Sequence, residues 1–100
     1  MKVPEDADAD YLAAAGRVAL IAHRPAIARA LFLRALERDP SSYRAALGMA
    51  STALMQRDVD AAARAYSDAR NLTKDKDERG YLANAIAELN KAHNVMRGTY

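Results

Sequence analysis

Apolar residues recur at intervals of three and four along most of this chain, and almost nowhere at intervals of two. The first spacing gathers side chains on one face of a helix, and the second would be a strand. The stretch ARALFLRALERDP, Ala28 to Pro40, shows the pattern clearly: Ala28, Phe32 and Ala35 share one helical face, and Pro40 ends the run. The other breaks are equally legible. Pro4, Glu5 and Asp6 read as a first turn, with acids facing the positive helix end. Pro25 disfavours helix at Arg24, and Ser42 and Asp58 are of the type that caps helix starts. Five helices are predicted, over about 4–22, 25–38, 42–55, 59–72 and 76–94. Thr73 or Asp75 would cap the last, and the tail from Gly98 would fray. The expected class is all-α in a single domain over residues 1–100.

Most of the face carrying Ala28, Phe32 and Ala35 is small for a core stripe, and the pattern returns further on. A shift of 34 residues carries Ala28 onto Ala62, Phe32 onto Tyr66 and Ala35 onto Ala69. The same shift carries Gly16 onto Ala50, Ala19 onto Ala53, Leu20 onto Leu54 and Ile21 onto Met55. Small falls on small, ring on ring and large aliphatic on large aliphatic. The small residues let neighbouring helix backbones approach closely, and the rings of Phe32 and Tyr66 are expected to fill the seams between successive helix pairs.

A helix pair repeating at about this length resembles the tetratricopeptide repeat family. Leu12, Ala15 and Gly16 stand where that motif wants a large residue and a large-small pair. Ala28, Phe32, Ala35 and Pro40 match its second helix in full. In the next unit Ala46–Ala50 stands in for the first helix, Ala62, Tyr66 and Ala69 serve the second, and Lys74 replaces the terminal proline. His23 and Arg57 occupy the family's inter-helix glycine position. The resemblance covers about residues 9–74. It implies a right-handed α-solenoid of antiparallel helix pairs, about 4–38 and 42–72, covered by a capping helix at about 76–94 with the apolar stripe Leu82, Ala85, Ile86 and Leu89.

Composition narrows the function classes. Hydrophobic residues make up 51% of the chain, so a packed core is feasible, and there is no cysteine for disulfides or thiolate metal sites. His23 and His93 lack any ligand or triad spacing, Ser41-Ser42 reads as a cap, and the scattered glycines form no phosphate loop. No catalytic residue, cofactor or metal is therefore expected, and the chain reads as a non-enzyme. The acidic start MKVPEDADAD does not resemble a signal peptide, which makes the cytoplasm the simplest location. Charge is unevenly spread. Glu5, Asp6, Asp8 and Asp10 crowd the start, whereas Arg17, Arg24, Arg29, Arg34, Arg38 and Arg44 dominate residues 11–44. The arginines of the second helix could form a contact surface for anions. Nucleic acid is disfavoured, because one phenylalanine and five scattered tyrosines build no stacking platform.

The resemblance implies a partner surface on the first helix of each pair, where relatives line a concave groove. Carried over, the lining is Asp10, Ala13, Arg17, Leu20 and Ile21 from the first pair. Arg44, Leu47, Ser51, Leu54 and Met55 come from the second, with Tyr81 and Leu89 from the last helix. Relatives that clamp a chaperone's terminal carboxylate use a lysine and an asparagine on the first helix; Ala13 and Arg17 stand in this region, so that clamp is not matched. The expectation is an adaptor or chaperone-like module that takes a protein or peptide segment in a mainly apolar groove. A homo-oligomerising scaffold using the same groove is the alternative.

Overall fold

Each helix begins where a side chain can satisfy its first free N–H groups, α2 excepted, which opens on Pro25 and has one fewer N–H to satisfy. The computed structural model describes residues 3–96, with helices α1 (Ala9–Ile21), α2 (Pro25–Arg38), α3 (Tyr43–Met55), α4 (Val59–Leu72) and α5 (Lys76–Met96). No strand occurs among the described residues. Asp8 accepts the Tyr11 N–H at 2.8 Å, Ser42 the Ala45 N–H at 3.2 Å and Asp58 the Ala61 N–H at 3.0 Å. Asp75 accepts from both Asp77 and Glu78, so it rather than Thr73 caps α5; Thr73 closes α4 instead.

Two expected boundaries move. The first helix starts at Ala9 instead of Pro4, because Asp8 is extended and caps it, while Pro4–Ala7 form a separate turn closed by the Ala7 N–H to the Pro4 carbonyl. The last helix runs on through Asn94 to Met96. The tail from Gly98 lies outside the described residues.

The turns within each helix pair show why a glycine is dispensable there. His23 and Arg57 sit in left-handed backbone, at φ 59° and 60°. The His23 and Arg24 N–H groups return to the Leu20 and Ala19 carbonyls, both at 2.9 Å. The Arg57 and Asp58 N–H groups return to Leu54 and Ala53 at 3.0 and 2.8 Å. This closes a helix end with its last carbonyls satisfied, at the steric cost of a Cβ in that conformation.

Packing follows chain order. α1 lies against α2 and α3, α2 against α3, α3 against α4, and α4 against α5. The backbones of α1 and α2 stand away from those of α4 and α5, and the molecule measures 47 × 29 × 19 Å. Phe32 is the hub of the first half. It is 2% exposed and lies between Gly16 of α1 and Gly48 of α3, both of which have only hydrogen where the ring sits. Ala28 and Ala35 flank it with no exposed surface. The second half is built differently. The residue 34 places after Gly48 is Leu82, which is fully buried with Ala46 and Ala69, and Tyr66 is only half-buried beside it. A leucine thus fills the seam that a ring fills in the first half.

The turn between α4 and α5 is tied by polar contacts. Arg79 donates to the Arg70 and Thr73 carbonyls at 3.0 and 3.2 Å, supplying partners to the end of α4. His93 Nδ1 meets Asp60 at 2.9 Å, which joins the far part of α5 to the start of α4. None of the helices among the described residues is long and apolar enough to cross a membrane.

Candidate docking cleft

Because the backbones of α2 and α4 stand apart, space is left between them, floored by α3. The result is a cleft of about 840 Å³. Each helix gives it one stripe at helical spacing: Arg29, Leu33 and Leu36 from α2; Met49 and Ala53 from α3; Arg64, Asp68 and Leu72 from α4. Leu33 is 38% exposed, and Leu36, Met49 and Leu72 are half-buried. The floor is therefore apolar and partly wet. The lining also carries charge of both signs, with Arg29 and Arg64 set among Asp58 and Asp68.

None of the twelve residues expected to line a groove borders this cleft. Asp10, Arg17, Ile21, Arg44, Ser51, Leu54, Met55 and Tyr81 lie on α1, α3 and α5, all of them exposed. Leu20, Leu47 and Leu89 are half-buried. Ala13 is 3% exposed and belongs to the core around Phe32, so it is unavailable to a partner. The structure brings α1 and α3 together, which places their expected residues on adjoining helices; α5 packs on α4 and its backbone stands away from α3.

The arginines of α2 divide. Arg34 and Arg38 donate to the Pro4 and Glu5 carbonyls, holding the acidic N-terminal segment along the helix. Arg24 and Arg29 remain exposed. Half of the basic surface expected on this helix is therefore used internally.

Three tyrosines meet where α3, α4 and α5 converge. The Tyr43 hydroxyl is pushed up to about 12, first by burial, then by its hydrogen bond to Glu78 and by the charges of Glu78 and Asp75. Tyr66 is also raised, by burial and then by Tyr81. Tyr43 and Tyr66 thus hold their protons more tightly than free phenols do, and Tyr43 links α3 to Glu78 of α5. No group of three or more His, Asp or Glu side chains placed to hold a metal ion occurs among the described residues.

Reading the helices singly could not reveal the cleft, since it depends on the separation of α2 from α4. The available signal was the set Leu33, Leu36, Met49 and Leu72, which are apolar but lie outside the repeating small-and-ring positions. No protein-family model, curated protein or solved structure matches the chain.

Proposed function

We infer that the chain is a protein-interaction module, a short α-solenoid of the tetratricopeptide type, that takes one helical segment of a partner protein between α2 and α4. The observation that carries this reading is the cleft itself. Two helices held apart over a third leave a trough with an apolar floor and charges of both signs, which suits an amphipathic helix lying along it. Leu33, Leu36, Met49 and Leu72 would receive its apolar face, while Arg29 and Asp68 would set its direction. A scaffold or chaperone-like role follows from such binding without any catalytic step.

A display library of helical segments provides the test. Selected binders should move the NMR signals of Leu33, Met49 and Leu72, and Leu33→Asp should weaken them at least tenfold. Perturbation of Arg17, Leu47, Leu54 and Met55 instead would return the site to the first-helix groove. Failure to select any binder would remove the reading.

A further inference from the structure

The face of α1 that looks away from α2 and α3 carries Tyr11, Ala14, Val18 and Ile21, spaced three, four and three apart. Tyr11 is 48% exposed, Val18 54% and Ile21 71%, and no described element covers them. The fold itself shows what normally happens to this face. Thirty-four residues on, Tyr11, Ala14 and Val18 become Ala45, Gly48 and Thr52, which α3 buries in the seam with α2. There Ala45 and Thr52 are buried, and Gly48 has no side chain where the Phe32 ring lies at close range. On α1 the residues are bulky at two of the three places. Tyr11 and Val18 would block a ring-bearing helix from docking as α2 docks on α3.

We propose that this face pairs with a second copy of the chain, α1 against α1 in antiparallel order about a two-fold axis level with residue 16. The pattern is self-complementary in that register. Tyr11 falls opposite Ile21 of the second copy and Ala14 opposite its Val18, and the symmetry repeats both contacts, as an isologous interface requires. Heptad-like spacing of this kind is that of helices packed side by side. Charge points the same way. Asp10 flanks the stripe at one end of α1 and Arg24 follows it at the other, so antiparallel pairing places each acid near the other copy's arginine. Arg17 alone stands near its own symmetry mate. A contact between helices of 13 residues is small, so the dimer is weak and concentration-dependent.

Sedimentation equilibrium from micromolar to millimolar chain, at low and high salt, is the test. The mean mass should rise smoothly from one chain to two, and added salt should lower it. Val18→Asp, at an exposed position that leaves the core intact, should abolish the rise. Arg24→Glu should weaken association about tenfold, Asp10→Lys with Arg24→Glu should restore it, and Arg17→Ala should tighten it several-fold. A chain that stays monomeric throughout, a dimer indifferent to Val18→Asp, or growth beyond two chains would each overturn the proposal.

Discussion

Gly48 of α3 lies directly under the ring of Phe32 on α2, and a Cβ placed on it would fall well inside contact distance of ring Cε1. From the other side, a Cβ at Gly16 would stand 2.7 Å from the same atom. The ring is 2% exposed and has no direction in which to retreat. Two helices thus come close to a third because both present hydrogen to one phenylalanine.

That arrangement gives glycine-to-alanine substitutions opposite signs in one protein. Gly80 is exposed within α5, with nothing inside 4 Å of an added Cβ. Gly80→Ala should stabilise by about 0.5–1 kcal/mol through helix propensity alone. Gly48→Ala should destabilise by about 1–3 kcal/mol, since overpacking outweighs the same propensity gain. Urea denaturation reads both. A stabilising Gly48→Ala would mean that the ring does not sit in this seam.

The two rings of the repeat should no longer be equivalent. Phe32→Ala should cost about 3–5 kcal/mol, as for a fully buried aromatic. Tyr66→Ala should cost roughly half as much by that measure, because Leu82 fills its seam and leaves the tyrosine half-buried. The order to expect in a denaturant series is Phe32→Ala least stable, with Leu82→Ala close behind it.

The beat of Ala28, Phe32 and Ala35 made the first seam legible, because backbone proximity demands small residues and a single filler at fixed spacing. The caps at Ser42 and Asp58 were legible for a similar reason: they are local chemistry, settled within four residues. The role of Asp8 was not, because Pro4 offers an equally good start, and only an extended residue at position 8 decides between them. Gly48 is inconspicuous in the sequence, since the period aligns it with Ala14 and Leu82, neither of which is a glycine. The cleft between α2 and α4 depends on how far apart two helices stand. No periodicity within one helix encodes that distance.

His23 and Arg57 offer a gain in stability. Both hold left-handed backbone that a Cβ disfavours by about 1–2 kcal/mol. His23→Gly and Arg57→Gly should each stabilise by about 0.5–1 kcal/mol, after the larger entropy of glycine in the unfolded chain is deducted. Thermal unfolding of the single and double variants checks this. The turns lie at separate pairs, so the two gains should add.

Alkaline pH should loosen the α3–α5 junction before it affects the rest. Tyr43 has its hydroxyl raised from 10.0 to about 12, so the folded chain holds that proton more tightly than the unfolded chain does. Between those values the native state binds more protons than the unfolded state, and stability must fall as pH rises. The contribution is complete below pH 10 and gone above the folded value. Tyr66 is raised as well and adds to the same limb. Tyr43→Phe removes the proton and the hydrogen bond to Glu78 together. The variant should be slightly less stable at neutral pH, yet its stability should decline less steeply above pH 10. Urea midpoints across the alkaline range, with phenolate absorbance followed in parallel, separate these effects. An unchanged alkaline slope in Tyr43→Phe would show that the hydroxyl is not held at this junction.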